Sequence, residues 1–126
     1  MLELGCGLGL PSLAAARLGA AVLATDWADD AIELLRRNAE RNGVSLRVAR
    51  VRWSEPELLL RAAPWDLVLG ADLLYEARNA EQLAELLPRL GPVALLAEPG
   101  RPHAKDFLER FSADEVGERI YRLAPR

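Results

Sequence analysis

Three glycines at alternate positions, in Glu3-Leu4-Gly5-Cys6-Gly7-Leu8-Gly9, stand between a short apolar run and a helical one. Glycine tolerates positive φ and has no Cβ, so this spacing makes a sharp strand-to-helix turn whose backbone a ligand can approach closely. Such a turn belongs at the carboxyl end of a parallel sheet, and the rest of the chain is patterned to match. Short β-like runs at Met1–Leu4, Val22–Thr25, Leu46–Val51, Asp66–Leu69 and Val93–Ala97 alternate with longer helical ones. The alternation predicts an α/β fold, a doubly wound and mostly parallel sheet covered by helices.

Most of these strands are apolar on both faces, as interior parallel strands must be. The third, LRVARV, alternates polar and apolar residues and fits a sheet edge. Pro11 suits the first turn of a helix ending near Gly19, and Asp29 or Asp30 opens a second that Gly43 closes. Ser54 with Glu57, and Asn79 with Gln82, have capping-box spacing ahead of the third and fourth helices. A fifth helix is expected over Pro102–Phe111. The tail FSADEVGERIYRLAPR has room for one clear strand, Arg119–Leu123, rather than an antiparallel pair.

At 126 residues the chain is expected to form a single domain, residues 1–126. Hydrophobic residues make up 51%, yet no run is long enough to cross a bilayer and no signal peptide is recognisable, so no membrane association and a cytoplasmic location are expected. One cysteine and one histidine leave no set of ligands for a zinc site. Sixteen basic against nineteen acidic residues give a net charge of −3, which offers no broad platform for nucleic acid.

The glycine loop holds something other than a dinucleotide. The fingerprint G-x-G-x-x-G needs its third glycine at position 10, which is Leu10. Glu3 places an anion where a pyrophosphate gains nothing from it and an ammonium group does. Asp26 ends the second strand at the distance where a carboxylate accepts hydrogen bonds from ribose hydroxyls. An adenosine with a free ribose and a cationic amino-acid tail satisfies both requirements, and S-adenosylmethionine is such a molecule. Cys6 lies inside the loop with no neighbouring base to activate it, and it reads as a small buried residue.

ELGCGLGLPSLAAARLGA, the acid in LATDW and the later WDLVLGADLLYE together resemble the class I, seven-strand S-adenosylmethionine-dependent methyltransferases. Among these the likeness is greatest to the D-x-x-Y protein-lysine methyltransferases, a group that includes enzymes acting on electron-transfer flavoprotein and on chaperones. The resemblance runs from Met1 to about Phe111 and implies a Rossmann-like core. It implies that Glu3 and the loop Gly5, Cys6, Gly7 and Gly9 hold the methionine end of the cofactor, that Asp26 holds the ribose, and that Trp27 lines the adenine side. Trp53 is placed to stack on adenine, although the acid that usually precedes it is Arg52 here, a donor only.

Asp72 and Tyr75 complete D-x-x-Y after the fourth strand, with Ala71 beside the cofactor. In that position Asp72 orients an amine and Tyr75 closes the pocket. The two prolines typical of enzymes that methylate nucleobases are missing from this block, so a protein or small-molecule amine is the expected acceptor. Glu98 is a second, weaker candidate at the same edge. The alternatives to a protein-lysine enzyme are a small-molecule N-methyltransferase and a weakly active nucleoside-binding or interaction module. Similar proteins carry helices ahead of the first strand that lie over the cofactor, and none precedes Met1. A truncated core of poor activity is therefore expected.

Overall fold

The computed structural model describes residues 1–126. The elements in chain order are β1 (Leu2–Leu4), α1 (Leu10–Arg17), β2 (Leu23–Asp26), α2 (Asp29–Arg41), β3 (Arg47–Arg50), α3 (Glu57–Arg61), β4 (Val68–Ala71), α4 (Ala77–Leu90), β5 (Ala94–Ala97), α5 (Ala104–Leu108), β6 (Ser112–Gly117) and β7 (Ile120–Ala124). They form one seven-stranded sheet in the order β3-β2-β1-β4-β5-β7-β6. β1 to β5 pair in parallel, and β7 runs antiparallel to both β5 and β6.

The order reverses direction between β1 and β4. The chain builds outward from β1 through β2 to the edge strand β3, then crosses back to lay β4 on the other side of β1. A crevice opens at such a switch point, outside the carboxyl ends of the strands, and open α/β sheets bind ligands there.

Successive strand residues face opposite sides, and β1 shows the consequence. Leu2 and Leu4 enter the larger core with Leu83, Leu87 and Leu90 of α4 and Phe107 of α5. Glu3, between them, reaches the other side, where Cys6, Ala24 and Leu35 form a smaller cluster against Leu13 and Ala16 of α1. Both faces of the central strand are therefore covered, and all three of its residues are buried.

The tail departs from expectation. In place of one strand there are two, β6 and β7, closed by a turn in which Arg119 takes φ 55°. Every residue of β6 is exposed, so Ser112–Gly117 has no buried face and shows no apolar alternation that would mark it as a strand. Its place is set by pairing with β7, whose Leu123 is buried in the core. Two capping boxes are also absent. α3 is entered at Pro56 and α4 at Glu76, neither with a side-chain cap, and Ser54 and Asn79 serve elsewhere. β4 lies two residues later than Asp66–Leu69 because Gly70 and Ala71 pair with Leu96 and Ala97 of β5.

Leu123→Ala removes a side chain that is 1% exposed and should cost about 2–4 kcal/mol of stability. Val116→Ala, on the exposed strand of the same hairpin, should stay within about 0.5 kcal/mol. Urea unfolding of the two variants beside the parent chain measures both.

Candidate functional site

At the carboxyl ends of the parallel strands lies a cavity of about 510 Å³, within the range of roughly 300–1,000 Å³ usual for small-molecule sites. Of the residues expected at a site, Gly5, Asp26, Trp27, Trp53, Ala71, Asp72 and Tyr75 all line it. Glu3, Cys6, Gly7 and Gly9 do not.

The loop between β1 and α1 explains that division. α1 has no side-chain cap of its own, since its N-cap is Gly9 in the left-handed region at φ 78°. Glu3 supplies what is missing. Its Oε2 accepts the backbone N–H of Ser12 at 3.0 Å and the Ser12 hydroxyl as well, and the residue is 2% exposed. A carboxylate there satisfies an otherwise orphaned donor and meets the positive end of the helix dipole. Glu3 thus anchors the loop from beneath. Burial pushes its carboxyl above the ordinary glutamate range, while the two Ser12 bonds pull the other way and Asp26 adds to the rise.

Gly9 carries a steric demand beside its φ: a Cβ there would run into Leu35 of α2. Cys6 is buried, and its thiol is pushed up to about 12 by desolvation, with Glu3 and Asp26 adding to the rise. It is held as an inert thiol.

Asp26, at the end of β2, links the loop to the next helix. Its Oδ2 accepts the N–H of Gly7 and its Oδ1 that of Ala28, each at 3.0 Å. An ionised carboxylate has about four acceptor positions, so each oxygen keeps room for a further donor from the cavity. Gly5 has φ 58°, and a Cβ on it would sit 2.6 Å from Leu73 Cδ2 and 3.8 Å from Trp53 Cζ2. Its bare α-carbon therefore keeps the cavity wall open. Trp53 packs against the larger core, and Trp27, also lining the cavity, is 61% exposed.

The opposite end is built after β4. Asp72 takes φ 53°, a left-handed conformation that turns the chain sharply off the strand, and its N–H donates to Ala97 O at 2.8 Å. Tyr75 follows, 51% exposed. Asp72 has a partner that sequence reasoning missed. Arg101 Nε donates to its Oδ1 and Nη2 to its Oδ2, both at 2.7 Å, and these bonds hold the Asp72 carboxyl below the ordinary aspartate range.

Glu98 is not a cavity residue. It is 3% exposed, and its Oε1 accepts the N–H groups of Gly100 at 2.7 Å and Arg101 at 2.5 Å. Ser54, Asn79 and Gln82, which the sequence offered only as helix caps, line the cavity, as do Arg52 and Arg78. No motif marks these five as cavity residues: Arg52 and Ser54 are brought there by the loop after β3, and Arg78, Asn79 and Gln82 by the start of α4.

The family described as lysine methyltransferase matches residues 1–111. The chain belongs to this family. It is similar to the ribosomal protein L11 methyltransferase of Edwardsiella ictaluri (strain 93-146), 35% identical over 94% of this chain and 41% of that protein. It is also similar to the protein N-lysine methyltransferase METTL21A of Danio rerio, 33% identical over 92% of this chain and 59% of that protein. The chain thus spans less than two thirds of the length of these curated relatives. Among solved structures, magnesium protoporphyrin IX methyltransferase from Synechocystis PCC 6803 with bound SAM superposes with a TM-score of 0.74 at 17% identity, covering 99% of this chain and 69% of that one. That likeness establishes the fold, a class I methyltransferase sheet. No helix of the structure is long and apolar enough to cross a membrane.

The raised carboxyl of Glu3 sets a pH dependence. Above the ordinary glutamate range the folded state holds a proton that the unfolded chain has lost, so this group's contribution to stability falls as pH rises toward its folded value. Glu3→Gln keeps an acceptor for Ser12 and removes the titration. Thermal unfolding across the mildly acidic range should show a flatter pH dependence in the variant than in the parent.

Proposed function

We propose that this chain is the core of an S-adenosylmethionine-dependent N-methyltransferase that acts in the cytoplasm on a lysine side chain of a protein, with residues 1–126 as one methyltransferase-like domain. A single observation carries the proposal: one cavity at the switch point joins an adenosine-type end, made by Asp26 and Trp53, to a carboxylate-and-phenol end, made by Asp72 and Tyr75. Membership of the lysine methyltransferase family and the likeness to METTL21A support lysine as the acceptor.

The residues present fit the cofactor. The ribose hydroxyls are donors, and Asp26 presents acceptors whose outer positions remain available beside Gly7 and Ala28. The wall at Gly5 is bare of side chain, so the loop can approach a ligand closely. Trp53 offers an aromatic face at the same end. Glu3 holds the loop in place through Ser12 and contributes to binding through that support.

When bound, S-adenosylmethionine supplies an electrophilic methyl group for an in-line displacement. The protein's share is to hold the acceptor nitrogen at the right distance and angle and to limit water around it, because this chemistry depends on orientation above all. Asp72 and Tyr75 are placed for that work at the acceptor end. Asp72 does not act as a general base, since a carboxyl held below its ordinary range by Arg101 is a poor proton acceptor.

Asp26→Ala should weaken S-adenosylhomocysteine binding by about 1.5–3 kcal/mol, because it strips the ribose of a charged acceptor and frees the Gly7 turn. Isothermal calorimetry on the parent and the variant measures this, and NAD binding more tightly than S-adenosylhomocysteine would sink the cofactor assignment. Asp72→Ala should keep S-adenosylhomocysteine affinity within about a factor of two while methylation of lysine-containing protein falls by roughly 10²-fold or more. Transfer of labelled methyl groups to proteins of an extract reads the second effect, and unchanged labelling would remove Asp72 from the acceptor site.

A further inference from the structure

Asp72 lines the cavity, whereas Arg101, which grips both of its oxygens at 2.7 Å, lies outside it. The grip is fixed at both ends. Asp72 is held by its N–H to Ala97 O, and Arg101 by its N–H to the buried Glu98 carboxylate. The same turn is braced by the hairpin: the Arg119 guanidinium donates to Pro99 O, and the Glu98 N–H donates to Arg119 O at 2.9 Å. A half-exposed ion pair adds little to stability, so contacts arranged to align one call for another explanation.

We propose that Arg101 is a positioning residue that fixes the Asp72 carboxylate at the cavity rim and cancels its charge, so that a bound lysine acceptor is not held there as ammonium and gives up its proton more readily. This role rests on the methyltransferase reading of the cavity. Transfer needs the nitrogen lone pair, and an unpaired carboxylate in contact with the acceptor would hold it as ammonium. A rise of one unit in the acceptor's ionisation midpoint leaves about tenfold less neutral amine near physiological pH. With the guanidinium fork across its outer edge, Asp72 still accepts a hydrogen bond from the amine but presents little net charge to it. The acceptor's proton passes to solvent before transfer.

No other side chain hydrogen-bonds to Asp72. The remaining charged groups lining the cavity are Asp26, Arg52, Glu76 and Arg78, the last two paired with each other at 3.5 Å, with Tyr75 beside them. Glu98 lies behind Arg101 and adds to the field that keeps it charged.

The test compares Arg101→Gln and Arg101→Lys with the parent chain. For Arg101→Gln, the pH at half-maximal kcat should rise by about one unit, so that kcat falls about tenfold near neutrality and recovers in alkaline buffer. KM for a lysine peptide should fall at the same time, because the ammonium form binds better. Arg101→Lys keeps the charge and should restore most of the parent profile. Independently of any acceptor, the Asp72 carboxyl followed by ¹³C NMR should titrate below the ordinary aspartate range in the parent and closer to it in Arg101→Gln. An unshifted kcat profile in an active parent, a higher kcat for Arg101→Gln at neutral pH, or an Asp72 titration indifferent to Arg101 would each overturn the proposal. A parent that binds S-adenosylhomocysteine but methylates no amine would instead fell the functional reading, with the carboxyl titration still showing whether the pair forms.

Discussion

The carboxyl edge of the sheet depends on a buried charge. Glu3 stands in the middle of the central strand, where a carboxylate is costly, and it is tolerated because α1 begins with orphaned N–H groups and no cap of its own. Ser12 meets it twice, and the helix is thereby tied to β1 at a set height. The five residues between strand and helix must then fold through three left-handed glycines to span the gap. Asp26 completes the arrangement by taking Gly7 from the neighbouring strand. Loop, helix and cavity wall follow from these two carboxylates, one buried beneath the loop, the other half-buried and lining the cavity.

The far end of the cavity is held differently. There the chain leaves β4 through a left-handed Asp72 and leaves β5 through a turn pinned by Glu98, and a guanidinium bridges the two exits. The β6–β7 hairpin participates through Arg119, whose carbonyl and guanidinium both contact that turn. The antiparallel pair therefore does more than close the sheet edge. It sets the level of the loop from which Arg101 reaches Asp72.

How much of this could be read from residue order follows from how local each signal is. The glycine loop, Asp26, the strand-helix alternation and the edge character of β3 all express themselves within a few neighbours, and the structure has each of them at the expected place. Residue order reads Glu3 as a partner for the ligand's ammonium group and Glu98 as an acceptor-site acid, but neither lines the cavity, because both bind backbone N–H groups presented by a helix and a turn, which side-chain pattern does not encode. β6 escaped because its six residues are all solvent-facing and owe their extended form to β7. Ser54 and Asn79 misled for the opposite reason: their spacing imitates a capping box, but the helices begin two or three residues away from where the spacing puts them.

Arg101 is the clearest case of a residue that no local pattern exposes. It lies twenty-nine positions from Asp72, in a loop whose Pro and Gly announce only a turn. Parallel strands make such meetings routine, because β4 and β5 end side by side and their exit loops share one edge. Chemistry at this edge is consequently assembled from residues far apart in the chain, each delivered by its own strand. The end of the cavity at Gly5, Asp26 and Trp53 draws on β1, β2 and the loop after β3, whereas the end at Asp72 draws on the exits of β4 and β5. The two ends are thus free to vary separately, and one fold can carry many different sites at this edge.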